Sequence, residues 1–167
     1  MKQNTRSLRR RLSLIGNRLK RARYFHGYGV HSPFVYGLVR KVFMHKGLFE
    51  GSGTALYDAL REQGASDKRA KQLHNAMLYC EAKSFAINSA TAEFVVATPD
   101  YPTSRLNELY EATKAMKAIL VIAHPYLNRE RQNEIHRLRE QHTSTTVDNR
   151  AYIIFFNNHL PKQHYRL

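Results

Sequence analysis

Ala118-Ile-Leu-Val-Ile-Ala-His-Pro125 is an apolar run without interruption that stops abruptly at a polar, helix-opening loop. A run that is apolar at every position has no wet face, so it predicts a strand buried on both sides. In a chain of 167 residues, that implies a sheet with layers packed above and below it. Glu93-Phe-Val-Val-Ala-Thr98 is a second such run and Tyr152-Ile-Ile-Phe-Phe156 a third. Between the first two, Leu106, Leu109, Tyr110 and Ala112 to Met116 recur at helical spacing within Thr103 to Lys117. The unit is therefore β-α-β, with a right-handed crossover and two parallel strands.

Further strands are predicted at Ser84-Phe-Ala-Ile-Asn88 and, more weakly, at Ser144 to Asp148, the latter joined to Tyr152 through a tight Asn149-Arg150 turn. Ahead of the sheet, Ser32 stands at an N-cap position and Pro33 at the first helical position of a helix running to about His45, with Phe34, Leu38, Val39 and Val42 on its apolar face. Gly47 to Gly53 is a connector. Thr54 to Gln63 and Ser66 to Cys80 predict two helices broken at Gly64-Ala65. The last helix is placed at Leu127 to Gln141, with Ile135 and Leu138 inward and Arg129, Glu130, Arg131, Arg137, Arg139 and Glu140 mainly facing water.

The formal charge of +14 is unevenly spread: all twelve basic residues before Glu50 stand there without one acid, whereas fifteen basic and thirteen acidic residues follow. Residues 1–50 are accordingly read as a basic helical extension and 51–167 as one α/β unit. Thr5 to Tyr24 predicts a cationic amphipathic helix, its stripe formed by Leu8, Leu12, Ile15 and Leu19. Around that stripe, Arg9, Arg10, Arg11, Arg18, Lys20, Arg21 and Arg23 are candidate contacts for a polyanion, either nucleic acid or an acidic protein. Tyr24, Phe25 and Tyr28 beside Arg21 and Arg23 suit base stacking as well as ordinary packing. No run approaches the roughly 18 to 20 apolar residues of a membrane span, and no cleavable signal pattern opens the chain. With the single cysteine, Cys80, which excludes an internal disulfide, this places the expectation on a soluble protein of the reducing cytoplasm.

Gly29-Val-His-Ser-Pro-Phe-Val-Tyr36 and Phe155-Phe-Asn-Asn-His-Leu-Pro-Lys-Gln-His-Tyr165 carry a resemblance that spans most of the chain. They are similar to the two end elements of a bacterial family of class I S-adenosylmethionine-dependent methyltransferase-like proteins. Phe94 to Tyr101 and Ile119 to Glu130 resemble that family's inner strands and their loops. The resemblance implies a reduced Rossmann-like sheet of about five strands near Ser84, Phe94, Ala118, Ser144 and Tyr152. In it the last, Tyr152 strand is antiparallel and inserted beside the Ala118 strand.

The cofactor chemistry implied by that family is poorly matched. In such folds the methyl donor lies over a Gly-rich turn after the first strand, and an acid ending the second strand holds the ribose. Here the turn is Asn88-Ser-Ala-Thr91, and all eight glycines lie at or before Gly64. Two β-α units of the family are missing between the first strand and Phe94. Asn88, Asp100 and His124 remain as the residues of a residual crevice. The expectation is a chain that no longer binds S-adenosylmethionine and has no catalytic residues, with an active transferase completed by a second chain as the alternative. Asp100, His124 and Ser104 lack the Gly-x-Ser-x-Gly turn of a hydrolase. The pair His26 and His31, and the scattered His124, His136, His142, His159 and His164, predict no metal site.

Overall fold

A computed structural model describes residues 31–51 and 53–167. The helix expected at Thr5–Tyr24 and its seven candidate basic residues, Arg9 to Arg23, lie outside the described residues, as does His26. Five helices and a six-stranded mixed sheet make up the rest. The helices are α1 (Pro33–Gly37, continued as a π-helix over Leu38–Phe43), α2 (Ala55–Glu62), α3 (Asp67–Tyr79), α4 (Leu106–Ala115) and α5 (Arg129–Gln141). The strands are β1 (Phe85–Ile87), β2 (Phe94–Ala97), β3 (Ile119–Ala123), β4 (Thr146–Asp148), β5 (Tyr152–Phe155) and β6 (His164–Arg166).

The order across the sheet is β1-β2-β3-β5-β4-β6. β2 and β3 are adjacent and parallel, with Phe94 opposite Ile119, and β5 lies antiparallel between β3 and β4. Two features depart from expectation. There are six strands and not five, because His164–Arg166 pairs parallel with β4, Thr146 opposite His164. The antiparallel strand is therefore the fifth, not the last. The polar sequence His-Tyr-Arg gives no apolar signal because β6 sits at the edge, where two of its three residues are exposed.

Period-two alternation divides the sheet residues between two cores. Phe94, Val96, Val121, Val147, Tyr152, Ile154 and Phe156 face α1, α2 and α3, which contribute Leu38, Val42, Leu56, Leu60, Leu73 and Ala76. Val95, Ala97, Leu120, Ile122, Ile153 and Phe155 face α4 and α5, which contribute Leu106, Leu109, Tyr110, Ile135 and Leu138. The inner strands β2, β3 and β5 thus bury both faces, as their fully apolar sequences require. Residues of α1 belong to the same core as the sheet.

α1 starts where its cap dictates: the Ser32 hydroxyl accepts from the Val35 N–H at 3.3 Å, with Pro33 at the first turn. Its end is not a plain α-helix. The Met44 N–H reaches back five residues to the Val39 carbonyl, and Leu38, Val39, Val42 and Phe43 remain buried. The connector after α1 is clamped by α3, whose buried Asn75 donates to the Gly47 carbonyl and accepts from the Phe49 N–H.

The link between β1 and β2 is unusual. Parallel strands are ordinarily joined by a crossover of about a dozen residues or more. Here residues 88–93 suffice. Two clasps close it. At the carboxyl end of β1, Asn88 accepts from the Thr98 N–H at 2.8 Å and donates to the Thr98 hydroxyl at 2.9 Å. At the other end, Glu93 accepts from the Lys83 N–H at 2.6 Å while the Ser84 hydroxyl accepts from the Glu93 N–H at 3.1 Å. Asn88 makes the reversal by adopting a left-handed backbone with φ 60°, and the small residues Ala90 and Ala92 let the return segment lie close to the sheet.

Candidate functional site

In an open α/β sheet, ligands gather outside the carboxyl ends of the parallel strands. Here that edge is formed by the residues after β1, β2 and β3, where Asn88, Asp100 and His124 lie. The structure does not assemble these three into one crevice. Asn88 is committed to Thr98, as described. Asp100 is exposed, and its charge favours the ionised form of Arg131. His124 is also exposed and follows β3 with φ 48°; its Nε2 lies 2.9 Å from Arg69 Nη1.

The residue that occupies the edge is Arg131. Placed mainly toward water by the sequence reading, it is instead 1% exposed. Asn128 caps α5 by accepting from the Arg131 N–H at 2.8 Å, which sets Arg131 in the first turn, above the strand ends. Its guanidinium donates to the carbonyls of Tyr101 (2.9 Å), Thr98 (2.9 Å) and Ala123 (3.1 Å). The loops after β2 and β3 are thereby tied together by one cation, although Nε of the same side chain makes no hydrogen bond. Burial depresses the Arg131 pKa and Asp100 opposes that shift, yet a guanidinium stays charged in any such setting. The spacing of Arg131, Ile135 and Leu138 was the available signal: Arg131 is in phase with the two inward residues of its helix.

Beside the carbonyl groups that Arg131 ties, at Thr98 and Ala123, little space remains. A cavity of about 70 Å3 lies between Leu60, Leu73, Thr98, Ala123, His124 and Tyr152. The pKa of His124 is lowered by partial desolvation first and by the charges of Arg69 and Arg131 next. Because a guanidinium only donates, His124 Nε2 is the acceptor of the Arg69 contact and its ring is neutral there.

Other candidates separate. Ser104 is exposed in a 3-10 turn over Thr103–Arg105 and makes no hydrogen bond to His124. His142, read from sequence as a surface or capping residue, is fully buried between Tyr110 and the Phe156 carbonyl. Cys80, half-buried just after α3, has its thiol pKa pushed up to about 12 by burial, so it is a poor nucleophile. Among the described residues, no group of three or more His, Cys, Asp or Glu side chains is placed to hold a metal ion. No described helix is long and apolar enough to cross a membrane. No protein-family model matches the chain, and no curated protein or solved structure matches it either.

Proposed function

We propose that this chain is a reduced methyltransferase-like scaffold that acts by binding a partner, without S-adenosylmethionine and without methyl transfer. The observation that carries the reading is Arg131. A nucleoside-containing cofactor laid over the carboxyl ends of the strands needs open backbone there, and small-molecule sites usually offer roughly 300–1,000 Å3. At this edge a buried guanidinium takes the carbonyls of Thr98, Tyr101 and Ala123, and the adjoining cavity is about 70 Å3. The turn after β1 offers no glycine, and its Asn88 is spent on Thr98. The residues present therefore do not fit the cofactor.

Calorimetric titration of the full chain with S-adenosylmethionine and S-adenosylhomocysteine tests this. No saturable heat at micromolar ligand is expected. Micromolar affinity for either would overturn the reading and favour a transferase completed by a second chain.

The partner surface we propose is the basic segment Lys2 to Arg23, whose nine Lys and Arg residues are accompanied by no acid. Like charges without counter-charges add their fields and attract polyanions at low salt. If the target is nucleic acid, affinity falls steeply with salt as counterions are released. A filter-binding assay on the variant with Arg9, Arg10, Arg11 and Arg18 all replaced by Gln should show weakened retention of RNA or DNA with little change in thermal stability. Unchanged retention would remove the segment from the function.

A further inference from the structure

A second, larger cavity lies on the α1–α3 face, and none of the residues following β1 and β2, nor Arg131, lines it. It occupies about 330 Å3 between the π-helical end of α1, the first turn of α3 and the β4–β5 turn. Its walls differ sharply in chemistry. Val39, Phe43 and Ala151 form an apolar side, and Lys68 and Arg69 supply two cations. No Asp or Glu side chain lines it.

Among the described residues neither cation makes an ion pair, and Leu167, the last residue of the sequence, completes the lining. Lys71, on the next turn, is bridged to Asp67 at 3.0 Å. Asp67 also accepts from the Tyr57 hydroxyl at 3.0 Å, so the one acid of that turn is already matched. Arg69 makes a single side-chain hydrogen bond, to His124 Nε2 at 2.9 Å. That bond uses one of five N–H donors and fixes the plane of the guanidinium, while Nε and Nη2 keep their donors. Such a planar fork matches a carboxylate or phosphate edge. His124 is held in place by its own N–H, which donates to the Ala151 carbonyl at 2.8 Å, despite its left-handed φ of 48°. A non-glycine residue kept in that region costs on the order of 1 kcal/mol or more, and such strain collects at ligand sites.

We propose that this cavity binds a small organic oxyanion, its carboxylate or phosphate group held by Lys68 and Arg69 and its apolar body set against Val39 and Phe43. Unpaired cations facing a low-dielectric wall attract an anion more strongly than the same charges on an open surface. The inference stands apart from the reading of the sheet edge at Arg131 and does not depend on whether the chain binds S-adenosylmethionine.

The test titrates the full chain with phenyl phosphate, benzoate and, as a neutral control, benzyl alcohol, following backbone amide shifts by NMR. Phenyl phosphate and benzoate are expected to saturate at least ten-fold more tightly than benzyl alcohol and to shift Lys68, Arg69 and Ala151. Lys68→Gln and Arg69→Gln should each weaken the anions about ten-fold and leave benzyl alcohol unchanged. Lys68 is exposed and makes no ion pair, so its variant keeps the fold. Anions binding no better than the alcohol, retention of full affinity in both variants, or shifts confined to the basic segment Lys2 to Arg23 would each overturn the proposal.

Discussion

His142 gives this protein a specific weakness to acid. Its side chain is 0% exposed, between the rings of Tyr110 and Phe155 at 5.8 and 5.2 Å. A carbonyl can only accept, so Nε2 must carry the hydrogen toward Phe156 O at 3.3 Å, and Nδ1 then accepts from the Tyr110 hydroxyl at 3.0 Å. Both ring nitrogens are engaged in the neutral form. Burial, the main cause, pushes the folded pKa down to about 4, with the Phe156 carbonyl opposing it. In the unfolded chain the ring titrates near 6.5. Between about 4 and 6.5 the unfolded state thus binds a proton that the native state refuses. The associated stability is complete above about pH 6.5 and is lost as pH falls toward 4. At about 1.4 kcal/mol per pH unit the loss is about 3 kcal/mol. Urea unfolding of the wild type and His142→Gln from pH 7.5 to 4 measures it. The glutamine amide can still donate to Phe156 and accept from Tyr110 but does not titrate, so the difference between the two proteins isolates the imidazole. Parallel stability-versus-pH curves across that window would refute the reasoning.

Arg131→Met removes three donors from buried carbonyls and should cost about 3 to 5 kcal/mol in denaturant unfolding. Arg131→Lys should rescue little, because a single ammonium cannot reproduce the fork; full rescue would show that only the charge matters. At Asn88, where φ is 60°, substitution by Ala should destabilise more than substitution by Gly, by about 1 kcal/mol, since both lose the Thr98 bonds but only Ala retains the backbone strain. Equal losses in thermal unfolding would assign the whole effect to the side chain. Gly37→Ala would drive a methyl into the Tyr79 hydroxyl, which donates to the Phe34 carbonyl at 3.1 Å. A loss of about 1 to 2 kcal/mol is expected, and it should shrink in a Tyr79→Phe background; additive effects in that cycle would rule out the contact.

The strand runs were legible because a sheet buried on both faces leaves its sequence nothing polar to show: Phe94–Ala97 and Tyr152–Phe155 are buried at every position. The pairing of the β2 and β3 strands followed from the helix between them. β6 was not legible, since an edge strand held by Thr146 and Asp148 backbone partners needs no apolar residue. Nor was the π-helical end of α1, because a hydrogen bond displaced by one residue leaves the apolar spacing of Leu38, Val39 and Val42 nearly unchanged. Among the site residues, Asn88 and His124 were singled out for their positions at strand ends, and both carry left-handed backbones there. Arg131 was missed because charge outweighed phase: guanidinium groups are rarely fully buried, so its place on the stripe with Ile135 and Leu138 was read as a solvated flank.

The short link between β1 and β2 bears on how the chain assembles. Partners in that pair are nine residues apart, Phe85 with Phe94 and Ile87 with Val96, a separation typical of a hairpin although the strands run the same way. Loops of about ten residues close in roughly 10 to 100 ns, and local pairings meet little of the entropic barrier that slows parallel sheets. By contrast β3 must find β5 across a much longer stretch, with Leu120 opposite Phe155. The β1–β2 ribbon can therefore form early and offer β3 a prepared edge, so substitutions at Asn88 or Glu93 should slow refolding, whereas those in the exposed edge strand β6 should chiefly hasten unfolding.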